Sequence, residues 1–145
     1  LLLKKWRKHT KSYDKWIMIE GGTKSQQKYA MSMIMFFKKK FNIDPYIEVC
    51  FRRQGYGLGG CIQMDIGEYM IDIDRSLKLR DMLITLAHEL VHVKQYECGD
   101  LTQNSEDNIP YWDKPSEIEA YGREVGLFIT WAEENNLENK AWTRR

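Results

Sequence analysis

The stretch from Ile84 to Cys98 constrains what this chain can fold into more than any other. It carries His88-Glu89-Leu90-Val91-His92 within a run whose apolar residues Leu83, Leu86, Ala87, Leu90 and Val91 recur at helical spacing. Residues four apart on a helix stack one turn above the other on the same face. Two imidazoles so placed can turn their Nε2 atoms onto one Zn²⁺, and the glutamate between them is placed to act on a water at that ion. The chain holds only three histidines, so the pairing does not follow from composition. Such a helix must be buried in apolar surroundings, and the metal needs a further ligand from another element.

That ligand cannot come from the same turn. His9 is one candidate, in a basic segment. The better source is Pro115-Ser116-Glu117-Ile118-Glu119-Ala120-Tyr121, where a carboxylate on a second helix completes a His₂Glu set. Glu117 and Glu119 are two apart and point in different directions on a helix, so they cannot both serve. Ser116 and Glu119 match a capping box, which occupies Glu119 at the helix start and favours Glu117 as ligand, with Glu119 the alternative. Pro115 at the first helical position instead sets the cap at Lys114 or Asp113. Tyr121, Tyr96, Tyr111 and Arg123 are candidates for a further donor beside the metal.

The flanking sequence predicts the elements that carry this helix. Thr23 and Gln26 form a capping box before a helix over Ser25–Phe41, with Tyr29, Met33, Met35, Phe36 and Phe37 as its apolar surface and Lys38-Lys39-Lys40 at its C-terminus. Strands follow at Tyr46–Arg52, Gly57–Ile66 and Glu68–Asp74, with Gly67 as a tight turn. Ser76 is a candidate N-cap for a helix over Leu77–Cys98, and Gly99 its C′ residue. Residues 100–113 read as a long polar loop. A last helix runs from Pro115 to about Asn135, with Ile118, Tyr121, Val125, Phe128 and Trp131 at helical spacing. The fold class is α+β: a small antiparallel or mixed sheet packed on an N-terminal helix, the HExxH helix and a C-terminal ligand helix.

Composition sets outer bounds. The 145 residues suit one domain, with residues 1–22 reading as a basic N-terminal extension. A net charge of +1 excludes a globally basic nucleic-acid binder. Lys4, Lys5, Arg7, Lys8, Lys11 and Lys15 make a local basic cluster that reads as a solvated face, with nucleic-acid contact as the lesser alternative. Cys50, Cys61 and Cys98 form no C-x-x-C pair and read as free thiols in a reducing, cytoplasmic compartment, and no apolar run is long enough for a membrane span. The Gly-x-Gly-x-x-Gly string at Gly55–Gly60 lacks the following helix of a dinucleotide site and reads as a hairpin turn. Cys98 reads as a packing residue, too far along the helix to share the metal.

His88-Glu89-Leu90-Val91-His92 followed by Glu117-Ile118-Glu119-Ala120 resembles the glutamate zincins, and among them the compact ImmA/IrrE-type and SprT-like phage and bacterial metallopeptidases. The resemblance covers about residues 77–130. It implies Zn²⁺ held by His88, His92 and Glu117, with Ala120 as the small residue for close helix packing. Tyr121 departs from the pattern, standing where such proteins carry the Asp or Asn that steadies the site. The implied function is hydrolysis of peptide bonds in a protein or peptide substrate by metal-activated water, with Glu89 as general base. The alternative is a zincin-fold binding module acting through protein or DNA contact; a purely structural zinc ranks last, because a fourth Cys or His ligand is missing nearby. In zincins a sheet edge commonly takes the substrate in extended form, and the alternating Met70–Asp74 suits that role. Asp72 and Asp74 on its outer face then either favour basic peptides or simply face solvent.

Overall fold

The computed structural model describes residues 16–53 and 58–144, with the backbone of residues 11–14. Strands β1 (Lys11–Asp14) and β2 (Ile17–Glu20) lead into helix α1 (Lys24–Phe41). Strands β3 (Tyr46–Arg52), β4 (Gly59–Asp65) and β5 (Glu68–Asp74) precede helices α2 (Leu79–Glu97) and α3 (Pro115–Glu134), and single 3-10 turns cover Tyr111–Asp113 and Ala141–Arg144. The fold is α+β, and the sheet is mixed with order β1-β2-β3-β5-β4. β2, β3 and β5 run parallel, while β1 and β4 are antiparallel to their neighbours. No helix among the described residues is long and apolar enough to cross a membrane.

The sheet corrects two expectations. Residues 17–20 are not part of an extension: Ile17, Met18 and Ile19 are buried in an inner strand, because the apolar run outweighs the charge around it. His9, the basic residues up to Lys8, Lys15, the side chain of Lys11 and residues 55–57 of the glycine string lie outside the described residues. The second correction concerns the free edge. β5 is paired on both sides, with β3 and β4, so Met70–Asp74 cannot accept another strand. Asp72 is engaged by Arg52 at 2.9 Å, and Asp74 accepts from Ser76 N and Oγ. Among the described residues the strand at that edge is β4, and β1 lies at the other edge.

One sheet face carries Ile17, Ile19, Ile47, Val49, Phe51, Tyr69, Ile71 and Ile73, all buried against the helices. α1 is capped as expected: Thr23 Oγ1 accepts from Gln26 N, and Gln26 Oε1 from Thr23 N. Its exposed Met35 does not join Met33, Phe36 and Phe37 in the core. α2 is buried along most of its length, and Gly99 ends it at φ +79°, a conformation open to glycine. Ser76 does not cap α2, since its hydroxyl is spent on Asp74; Lys78 holds the cap position without a side-chain bond. Cys98 is exposed at that C-terminus rather than packed.

α3 differs from its sequence reading along its first half. Phe128 and Trp131 are buried, but Ile118, Tyr121 and Val125 are exposed. The inward positions there are Glu117, Ala120 and Glu124, each within reach of α2. The Ser116–Glu119 capping box does not form. Pro115 is the first helical residue, Lys114 supplies no side-chain cap, and Glu106 from the preceding loop accepts from both the amide (3.0 Å) and the hydroxyl of Ser116. A carboxylate ten residues upstream thus serves the dipole and one free amide of α3.

Candidate metal centre

Two polar stripes face each other where α2 meets α3. Thr85, His88, His92 and Gln95 recur at three- and four-residue steps on α2; Glu117, Ala120 and Glu124 do so on α3. Ala120 is fully buried between the helices and brings them close. His88 Nε2 lies 3.0 Å from Glu117 Oε1, and His92 Nε2 lies 3.1 Å from Glu117 Oε2. The three ligand-type atoms are within 4.8 Å of one another. Ligand atoms at Zn–N and Zn–O distances in a tetrahedron sit about 3.3 Å apart. Two imidazole nitrogens and a carboxylate, converging at nearly that spacing, form a set that can hold a metal ion. The other such grouping among the described residues, Glu20, Glu48 and Cys50, spans β2 and β3.

Each of the three side chains has a further partner. Gln95 Oε1 lies 2.8 Å from His92 Nδ1. Glu124 Oε2 lies 3.6 Å from His88 Nδ1, an electrostatic contact longer than a hydrogen bond. Tyr111 donates from its hydroxyl to Glu117 Oε1 at 3.1 Å. Tyr121 offers His88 no carboxylate and no hydrogen bond among those of the described residues. Its ring packs edge-on against the His88 ring with centroids 4.5 Å apart, and its hydroxyl lies 3.1 Å from that of Tyr111. With the Tyr111 proton given to Glu117, Tyr121 donates to Tyr111. The carboxylate facing His88 Nδ1 is that of Glu124, three residues beyond Tyr121.

The remaining sequence candidates fall elsewhere. Glu119 is no ligand: it accepts from Gln95 Nε2 at 2.9 Å and from Lys94 at 3.1 Å, and pairs with Arg123 at 2.8 Å. Arg123, so held and lying over the Phe41 ring, is turned from the metal site. Tyr96 packs on Tyr69 and borders a cavity with His92. Gln95, Glu124 and Glu106 are absent from the sequence reading. The first two had a signal, since Gln95 lies three residues beyond His92 and Glu124 seven beyond Glu117, on the same helical faces.

Two cavities flank the ligands. One, of about 260 Å³, is lined by Leu58, Gly59, Thr85, His88, Glu89, Tyr111, Tyr121 and Glu124. The other, of about 160 Å³, lies between Cys61, His92, Tyr96, Glu117 and the loop residues Leu101–Gln103, Glu106 and Asp107. The loop is therefore a wall of the site. Gly59 seats the edge strand on α2, since a Cβ there would stand 2.8 Å from the Thr85 methyl and 2.9 Å from the Asp72 carbonyl.

Burial sets the electrostatics. Glu89 is 6% exposed, and burial, opposed by His88 and His92, raises its pKa to about 6. Burial pushes Glu117 the same way, but hydrogen bonds with His88, His92 and Tyr111 overcome it and hold the carboxyl well below its usual range. Burial, partly offset by His88, also raises Glu124. In comparisons with known proteins, no family model, no curated protein and no solved structure matches this chain.

Proposed function

We propose that this protein is a zinc-dependent metallopeptidase of the glutamate-zincin kind, acting on peptide bonds of a protein or peptide substrate. The observation that carries the reading is the convergence of His88 Nε2 and His92 Nε2 on the two oxygens of Glu117, with Glu89 buried beside them on an open cavity. His88, His92 and Glu117 would hold the zinc. When bound, the ion supplies Lewis acidity, polarising the scissile carbonyl and making water a nucleophile near neutral pH.

The rest is done by side chains. Glu89 takes the proton from the attacking water and passes it to the leaving amine; its raised pKa suits both halves of that transfer. Tyr121 lines the cavity, and its hydroxyl can re-aim its proton from Tyr111 toward the carbonyl oxygen. Among the described residues β4 is an edge strand, with Gly59 against Thr85 and Cys61 lining one cavity with His92, and it can take an extended substrate by strand addition.

The test is zinc binding and cleavage of an unfolded protein such as casein, read by mass spectrometry, for the parent chain and Glu89→Gln. Zinc bound by both, with cleavage by the parent alone, is the expected result. Equal cleavage by both removes the assigned role of Glu89. Absence of zinc binding removes the reading altogether.

A further inference from the structure

We infer that Gln95 is a positioning residue for the metal centre: clamped by Glu119 and the Ser116 carbonyl, its amide keeps a proton on His92 Nδ1, so that Nε2, which faces Glu117, is the nitrogen that gives up its proton to take a metal. The inference rests on the metal-centre reading above. Gln95 is 2% exposed, and all the polar atoms of its amide are engaged. Its Nε2 donates to Ser116 O and to Glu119 Oε1, both at 2.9 Å. Both partners are acceptors only. A flipped amide would aim its oxygen at a carbonyl and a carboxylate, so Oε1 must point the other way, to His92 Nδ1 at 2.8 Å. An acceptor at that distance requires Nδ1–H, and a neutral imidazole protonated on Nδ1 keeps its lone pair on Nε2, the atom 3.1 Å from Glu117.

The clamp has its own foundation. Lys94 and Arg123 fix the Glu119 carboxylate from the outer side. Ser116, whose carbonyl takes the other Gln95 proton, is fixed by Glu106. Glu119, which does not ligate, is thus linked to the ligand His92 through one amide. A leucine at 95 fills similar space but offers no acceptor. A glutamate offers an acceptor to His92 but opposes Glu119 with like charge, and Glu119→Gln relieves that opposition.

Zinc affinity of the purified chain, measured by competition with a chromophoric chelator, tests this. Gln95→Leu is expected to weaken zinc by about 10–100-fold, the usual cost of losing an outer partner. Gln95→Glu is expected to weaken it too, and the double variant Gln95→Glu/Glu119→Gln to recover part of that loss. Nitrogen NMR of the zinc-loaded parent should show His92 protonated on Nδ1. Circular dichroism of the metal-free forms checks folding; if Gln95→Leu does not fold, the recovery between the single and double Gln95→Glu variants decides. Unchanged affinity in a folded Gln95→Leu, no recovery in the double variant, or a His92 bare at Nδ1 would overturn the inference while leaving the zinc site standing. A parent chain that binds no zinc overturns both.

Discussion

His88 and His92 stand one turn apart on the same helix, yet their surroundings are opposite. His92 is hydrogen-bonded at Nδ1 to a buried amide whose every atom is engaged, and that amide is tied to the first turn of α3. At Nδ1, His88 has the looser contact with Glu124 at 3.6 Å; an aromatic edge from Tyr121 packs on its ring, and it lines a cavity of about 260 Å³. On the proposed reading, the difference separates two tasks that a hydrolytic metal site must combine. One end of the motif holds geometry, and the other end leaves space beside Glu89.

The comparison can be broken at several points. The largest effect is expected from Glu117→Ala, which removes the one charged ligand shared by both halves. Zinc affinity should fall by more than the roughly 10–100-fold of an outer-partner loss, and cleavage should vanish with it. Next comes Glu89→Gln, expected to lower turnover by about 10²–10⁴-fold while zinc affinity stays within a few-fold of the parent. Steady-state kinetics and chelator competition on the same samples check both. Glu124→Gln should weaken zinc less than Gln95→Leu, because its contact with His88 is longer and partly solvated. The reverse order would mean that His88, not His92, is the anchored ligand.

The smallest effect concerns stability without metal. The folded pKa of Glu89, about 6, lies above its ordinary 4.5. A raised carboxyl contributes stability that is fully present below 4.5 and lost as pH rises through about 6. Metal-free Glu89→Gln, which cannot ionise, should therefore be more stable than the metal-free parent above pH 6 by about 1–2 kcal/mol. The gap should close toward pH 4.5. Urea unfolding in the presence of a chelator across that range measures it. Glu117 works with the opposite sign: its lowered pKa gives stability above the ordinary carboxyl range that is lost as pH falls.

What was legible in the sequence follows from periodicity. His88, His92, Glu117 and Ala120 sit at helical steps, and a helical step fixes a face whatever the tertiary structure. The same rule hid part of the site. Along the first half of α3, apolar Ile118, Tyr121 and Val125 suggested the buried face, but Glu117 and Glu124 turn inward to the metal site and leave those residues outside. A polar face turned inward looks like a solvated face in sequence. Strand order was also out of reach: β4 and β5 are similar segments, and only the parallel pairing of β5 with β3 makes β4 the edge. Glu106 had no periodic signal at all, since it reaches Ser116 from a loop.

The central claim is one metal ion held by three side chains with room for a reactant. Anomalous scattering measured on both sides of the zinc edge, on crystals grown with zinc, tests it most directly. The expected result is a single peak about 2.0–2.2 Å from His88 Nε2, His92 Nε2 and a Glu117 oxygen, its fourth position facing the Glu89 cavity. A peak elsewhere, or one closed by a fourth protein side chain, would contradict it.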